Sequence, residues 1–160
     1  MKATILFCFI YFCSFANAHM GNNQLNNMIN ESLLSYIDRQ VGLSGEAANN
    51  RENKTIYICV DNYPLNFSFS EEISKKNVRF VSLQNPAMQK TFKRNRIYRF
   101  CFTETTLERN QLRITVSSRN VSIPKRNHIN VAIVDWGTFV YEFSCDKQEW
   151  ELKESTFGGV

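Results

Sequence analysis

The spacing of the hydrophobic residues changes along the chain near position 55. Between residues 25 and 41 apolar side chains recur every three or four positions, which predicts an amphipathic helix. Gly42 follows this run and predicts where the helix ends. Residues 44–54 are small, polar and charged, which indicates a linker or a long loop. The apolar positions of the predicted helix are Leu25, Met28, Ile29, Leu33, Tyr36, Ile37 and Val41.

After Thr55 the apolar residues alternate with polar ones, as they do in β-strands that bury one face. Short turns separate most of the runs, and strands joined by short turns pair antiparallel because parallel pairs need longer crossovers. Residues 87–95 predict a short helical turn or loop, and Glu108 to Asn110 a tight turn. The predicted strands are residues 56–60, 65–70, 78–83, 97–105, 112–117, 130–134 and 139–145, after which Trp150 and Leu152 return along the sheet.

The order of these elements predicts an α+β fold, in which one N-terminal amphipathic helix packs on a mainly antiparallel sheet of about seven strands. A β-sandwich with an appended helix is the alternative. Residues 130–134 are nearly all apolar, which predicts a central strand covered on both faces. Asp135-Trp136-Gly137 predicts a bend or bulge, because glycine tolerates the backbone found there.

The N-terminus has the features of an export signal. Lys2 precedes an apolar run at residues 5–15, and Ala16-Asn17-Ala18 supplies the small residues of a cleavage site. The run is too short to span a bilayer as a helix. We therefore predict a signal peptide at 1–18 and a secreted or periplasmic protein without a transmembrane segment. The 142 residues that follow form one domain, with the helix and linker at 19–54 and the β-rich part at 55–160.

Three cysteines remain after the predicted cleavage, namely Cys59, Cys101 and Cys145. In an oxidising compartment an odd number indicates one disulfide plus a free thiol, three buried thiols, or an intermolecular bond. Aromatic and β-branched neighbours favour small buried side chains at all three positions. A zinc site formed with His128 would lack the usual C-x-x-C spacing, so we predict neither a metal nor a cofactor.

Positive charge is concentrated in the middle of the sequence. The chain carries 19 basic and 15 acidic residues, yet residues 75–126 hold thirteen of the bases and only two acids. Residues 90–99 interleave basic and aromatic side chains, as binders of anionic polymers do. Export argues against a nucleic acid, so an anionic glycan, lipopolysaccharide or an acidic protein surface is the predicted ligand. The candidate contacts are Lys93, Arg94, Arg96, Tyr98 and Arg99.

Motifs of known catalytic sites are missing from the sequence, which contains no G-x-S-x-G, H-E-x-x-H or phosphate loop. The sequence therefore favours a non-catalytic binding or interaction module. A small hydrolase with Asp61 and Asp135 as paired carboxylates is one alternative, although each aspartate equally suits a strand end or turn. A structural subunit of a surface assembly is another, and it predicts self-association or an unpaired strand edge. The sequence leaves the oligomeric state open.

Overall fold

The computed structural model describes residues 24–40, 55–64, 66–90, 92, 96–125 and 128–159. The predicted signal peptide and linker lie outside these residues. Within the described ranges, no helix has both the length and the apolar character needed to cross a membrane. Helix α1 spans residues 24–40, and the shorter helices are α2 (Glu71–Ser74) and α3 (Pro86–Gln89). The strands are β1 (Ile56–Cys59), β2 (Val78–Val81), β3 (Ile97–Glu108), β4 (Gln111–Lys125), β5 (His128–Ser144) and β6 (Glu149–Gly159).

Six strands form one mixed sheet in the order β2-β1-β3-β4-β5-β6. Strands β3 to β6 are antiparallel neighbours, in keeping with the short turns between them. Strand β1 instead runs parallel to both β2 and β3, which the sequence analysis did not predict. The connections at 60–77 and 82–96 are long enough for the chain to cross over, and parallel pairing requires such crossovers.

The predicted strand at residues 65–70 is wrong over its described part, residues 66–70, which is irregular. Asparagine side chains of α1 replace a neighbouring strand there. The Asn30 amide donates to the Ser68 carbonyl at 3.0 Å, and its oxygen accepts from the Ser70 amide at 2.9 Å. Phe67 and Phe69 alternate because both pack against the core beneath α1. Their periodicity therefore reports burial of an extended segment that lacks a ladder of backbone hydrogen bonds.

The sheet buries side chains on both faces. Beneath α1, residues such as Leu33 and Ile37 pack on Ile114, Val116 and Phe139 of the sheet, and we call this the helix-side core. We call the core on the other face of the sheet the opposite core. It is built mainly from β1, β2, β3 and the end of β4, together with Leu83 and Phe92, which follow β2. Its buried members are Cys59, Val81, Leu83, Phe92, Phe100, Phe102, Val121 and Ile123. Adjacent residues of β3 serve different cores, as alternation in a strand requires.

Strand β5 continues through the predicted bend at Asp135 to Gly137. The register against β4 shifts at this point, since Ser118 pairs with Asp135 but Arg119 pairs with Ile133, so Val134 is the extra residue of a bulge. The prediction that residues 130–134 are covered on both faces is wrong. Val131 and Ile133 are 47% and 53% exposed on the face opposite α1, and the described part of β6 pairs with β5 only as far as Asp135.

Gly137 allows α1 and β6 to approach β5 closely. A Cβ atom at this position would lie 2.9 Å from the Phe157 ring and 3.1 Å from the Tyr36 ring. The Phe157 ring also contacts the Arg39 guanidinium of α1, whose carbon lies 4.1 Å from the ring centre. The missing side chain thus lets an aromatic ring from each neighbouring element pack over the backbone of β5.

Candidate functional site

Strand β3 divides the basic residues that the sequence analysis grouped. Lys93 and Arg94 lie outside the described residues. Arg96 precedes β3 and lies against Tyr98, with its guanidinium carbon 5.7 Å from the ring centre. Tyr98 packs against the opposite core, whereas Arg99 points to the face that α1 covers. The structure therefore brings Arg96 and Tyr98 together and directs Arg99 elsewhere.

An aromatic cluster supports Tyr98. The Tyr98 ring centre lies 5.8 Å from that of Tyr57 and 4.7 Å from that of Phe92, and both pairs meet edge to face. Tyr57 also stacks on Phe100 at 5.3 Å. Rings in such arrangements hold one another in fixed orientations. The cluster therefore forms a rigid aromatic surface beside Arg96.

Two further basic residues adjoin this cluster. Arg79 of β2 pairs in register with Tyr57 of β1, so both side chains lie on the same face of the sheet. Lys90 follows α3, two residues before Phe92. Arg79, Lys90 and Arg96 are exposed and form no ion pair with any residue that the structure describes. We call Arg79, Lys90, Arg96, Tyr57 and Tyr98 the basic-aromatic surface.

The sequence analysis missed Arg79 and Lys90 as partners of this surface. Both lie within the basic stretch at 75–126, but they are separated from Tyr98 by 19 and 8 positions. Parallel pairing of β1 with β2 places Arg79 beside Tyr57. Lys90 ends α3 two positions before Phe92, which packs in the opposite core. The charge count identified the basic stretch at 75–126. Which of its residues share a surface depends on the strand order of the sheet, and the alternation of apolar residues does not reveal that order.

Arg99 belongs to a polar network at the end of α1. Its guanidinium donates to the Asp135 carboxylate and the Ser118 hydroxyl, and to the Gln40 side-chain oxygen at 3.2 Å. Asp135 also accepts from the Tyr36 hydroxyl, and from the Gln40 amide at 3.0 Å. These bonds join α1 to three strands. The Arg99 guanidinium therefore helps to hold α1 on the sheet.

Burial keeps the nucleophilic groups beside this network protonated. Burial, followed by the hydrogen bond to Asp135, raises the pKa of Tyr36 far above its ordinary value. Burial also raises the pKa of the Cys101 thiol to about 12, although the Arg99 charge opposes the shift. A protonated thiol is a poor nucleophile. At neutral pH the network therefore presents neither a thiolate nor a phenolate.

Asp61 organises the chain after β2. Its carboxylate accepts from the Leu83 amide at 2.8 Å, the Gln84 amide at 3.2 Å and the Ser82 hydroxyl at 2.5 Å. The Cys59 thiol also points to it, at 3.4 Å. A carboxylate that accepts several local donors fixes a turn. Asp61 thus positions the segment that leads to Leu83 and Phe92 in the opposite core.

Asp61 and Asp135 do not form a carboxylate pair. Asp61 follows β1, and Asp135 lies in β5, three strand positions away in the sheet. Neighbouring strands are about 4.8 Å apart, so three spacings amount to about 14 Å. Carboxylate pairs of glycosidases are closer than about 10 Å. Each aspartate is also bonded to its own set of donors, so this geometry offers no support for the hydrolase alternative.

The three described cysteines occupy different environments, and none is in a disulfide. Cys59 lies in the opposite core and Cys101 in the helix-side core, so the sheet separates the two thiols. Cys145 is exposed in the turn before β6, and the expectation that all three are buried is wrong there. The described residues include no cluster of three or more His, Cys, Asp or Glu side chains suited to a metal ion.

Comparison of the chain with protein families, curated proteins and solved structures gives no match. Relatives therefore contribute nothing to the assignment of a site.

Proposed function

We propose that this chain is an exported, non-catalytic binding module that recognises an anionic glycan through the basic-aromatic surface. The observation that carries the proposal is the position of Arg79 and Arg96 beside the Tyr57–Phe92–Tyr98 cluster, with Lys90 two residues before Phe92 in the chain. These three positive charges have no acidic partner among the described residues. Basic side chains without acidic partners, held beside a rigid cluster of aromatic rings, suit a ligand that carries fixed negative charges.

The side-chain chemistry favours sulfate or phosphate groups on the ligand. A guanidinium donates two parallel hydrogen bonds to an oxyanion, and Arg79 and Arg96 both lie beside tyrosine rings. Sulfated polysaccharides and the phosphorylated sugars of lipopolysaccharide share this chemistry. Both are found outside the cytoplasm, in the compartment that the predicted signal peptide implies.

Chromatography on immobilised heparin tests the proposal with the chain that begins at His19. We expect retention that weakens with salt, because exposed charges are screened over about 10 Å at 0.1 M ionic strength. The double variant Arg79→Gln/Arg96→Gln should elute at clearly lower salt. Binding of lipopolysaccharide, measured by titration with the same two proteins, shows which of the two anionic sources is preferred.

A matched control removes two exposed charges elsewhere. Arg109→Asn/Arg113→Gln alters the β3–β4 hairpin, where the two residues lie about 43 Å and about 33 Å along β3 from Arg96 at 3.3 Å per residue. Asn suits position 109 because its φ is 57°. This control should elute close to the wild-type protein. Equal losses in both variants, or no retention of the wild-type protein on either ligand, would overturn the proposal. The variant Lys93→Ala/Arg94→Ala tests the remaining sequence-predicted contacts in the same assay.

A further inference from the structure

The first part of β5 is an open edge of the sheet. Strand β5 spans His128–Ser144, but β6 pairs only with Asp135–Ser144. Residues 128–134 therefore have β4 on one side and no strand of the described chain on the other. In an antiparallel pair, every second residue directs its N–H and C=O groups away from the partner. This edge consequently presents backbone donors and acceptors to a further strand.

Apolar side chains accompany these backbone groups. Val131 and Ile133 are about half exposed, and Trp136 is 37% exposed on the same face, opposite α1. The bulge at Val134 allows Ile133 and Trp136 to share this face. Ile129 already packs against the opposite core, so the exposed side chains continue an existing apolar surface. No charged residue occurs between Ile129 and Val134.

The other open edges of the described sheet differ in charge and shape. Strand β1 pairs only with Phe100 and Cys101 of β3, and the rest of β3 carries Glu104 and Glu108. Strand β2 has only four residues and carries Arg79. Strand β6 carries four charged residues, and the register shift against β5 makes Lys153 an extra residue of a bulge. Short length, charge and bulges are features by which proteins prevent edge-to-edge pairing. The charged residues of β6 are Glu149, Glu151, Lys153 and Glu154. Residues 129–134 carry no charged side chain, and the bulge in this edge lies at its end, at Val134.

We propose that this edge binds a second copy of the chain. Two copies of residues 128–134 pair antiparallel about a two-fold axis at Val131, and the two sheets become one. An identical segment suits the edge because apolar residues then face apolar residues and no like charges lie opposite each other. Pairing through β2 or β6 would instead bring charged side chains into the new interface. Two-fold symmetry of this kind is the commonest in homo-oligomers.

The proposed interface is small. Seven strand residues extend about 23 Å, and interfaces that bury less than about 1,200 Å² are characteristic of reversible complexes. We therefore expect a dimer in equilibrium with the monomer. The basic-aromatic surface lies on the same face of the sheet, and Tyr98 is two strand positions from Val131, with Val121 between them. Variants that remove only basic side chains therefore separate glycan binding from pairing.

Sedimentation velocity over a wide range of protein concentrations tests the proposal. The wild-type chain from His19 should shift from monomer to a species of twice the mass as concentration rises. Val131→Lys/Ile133→Lys should remain monomeric at every concentration. The matched control Leu107→Lys/Leu152→Lys places the same charges at two equally exposed apolar positions, and it should dimerise like the wild-type protein. Circular dichroism confirms that each variant is folded.

A cross-link locates the interface. In a Cys145→Ser background, Val131→Cys should form a covalent dimer on mild oxidation, whereas Thr156→Cys on β6 should not. A wild-type chain that stays monomeric at the highest concentration overturns the proposal, as does equal dissociation of the Leu107→Lys/Leu152→Lys control. Arg79→Gln/Arg96→Gln should still dimerise, so a failure of glycan binding is distinguishable from a failure of pairing.

Discussion

Arg99 of β3 and Asp135 of β5 form an ion pair across the intervening strand β4. The residue between them is Ser118, which is paired in register with Asp135 and accepts a hydrogen bond from Arg99. A larger side chain at Ser118 would obstruct this contact, because Ser118 is itself buried. Tyr36 and Gln40 of α1 complete the network from above. A single carboxylate thus connects the helix with strands that do not touch each other.

Removing the charge of Asp135 should destabilise the fold. We expect Asp135→Asn to lower the free energy of unfolding by about 1–3 kcal/mol, because Tyr36 and Gln40 lose a charged acceptor in a largely buried position. Arg99 is about half exposed, so solvent screens its share. Urea denaturation at pH 7 measures the difference.

The ion pair between Arg119 and Glu104 provides the control for this experiment. Glu104 is exposed, so Glu104→Gln should cost no more than about 1 kcal/mol. An effect of Asp135→Asn no larger than that of Glu104→Gln would contradict the role assigned to the network.

The buried thiols should make the fold sensitive to alkali. Burial raises the pKa of Cys59 to about 11 and that of Cys101 to about 12. Unfolded thiols ionise near pH 9, so above that pH the unfolded chain loses protons that the folded chain retains. The free energy of unfolding should therefore fall between about pH 9 and 12, by about 1.4 kcal/mol per pH unit for each thiol. Denaturation curves at pH 7, 9 and 10.5 measure the slope.

Thiol labelling distinguishes the cysteines directly. In the chain from His19 at pH 8, Cys145 should react rapidly with a disulfide reagent, while Cys59 and Cys101 should react only after unfolding. Cys101→Ala should flatten the alkaline slope, whereas Cys145→Ser should not alter it. Rapid reaction of all three thiols in the native protein would contradict the burial of the first two.

Gly137→Ala should destabilise the protein by about 1–3 kcal/mol, since the new methyl group would overlap the Phe157 ring and crowd Tyr36. Gly159→Ala is the matched control, because a Cβ there would meet its nearest atom at 3.4 Å, an ordinary contact. Thermal unfolding compares the two variants. The double variant Gly137→Ala/Phe157→Leu should recover part of the loss, and a single variant as stable as the control would rule out the close approach.

Asp61→Ala should weaken the segment after β2 and, through it, the proposed ligand surface. The variant leaves the Leu83 and Gln84 amides without their acceptor, at an expected cost of about 1–3 kcal/mol. Because this segment leads to Phe92, heparin retention should fall even though no positive charge is removed. Asn85→Ala removes only the cap of α3 and serves as the comparison. Unchanged retention in Asp61→Ala would show that Asp61 does not organise the surface.

Periodicity in the sequence predicted the parts of the sheet that are formed by neighbouring segments. Leu112, Ile114 and Val116 are buried as their alternation indicates, and the turn after β3 falls at Arg109 and Asn110, within the predicted turn. These features depend on residues close together in the chain. Alternation indicates which side chains are buried, but it does not indicate which elements cover them.

This limit explains the wrong predictions for residues 65–70 and 130–134. Phe67 and Phe69 alternate without a neighbouring strand, because asparagines of α1 bond the backbone of Ser68 and Ser70. The apolar run at 130–134 resembles a central strand, yet it borders an edge because β6 stops opposite Asp135. Among the candidate site residues, Arg96 and Tyr98 do share a face, since they are two positions apart. Arg79 joins them only through the parallel pairing of β1 with β2, which depends on long connections.

The distance along the chain between α1 and its partners constrains the order of folding. The Ser32 hydroxyl of α1 bonds to Tyr141 of β5, 109 positions later, whereas β3, β4 and β5 pair as successive hairpins. Contacts so distant in sequence close large loops and form slowly, while hairpins form quickly. A chain synthesised from its N-terminus must therefore keep the apolar stripe of α1 uncovered until most of the protein has emerged. During that interval the uncovered apolar stripe is accessible to a chaperone.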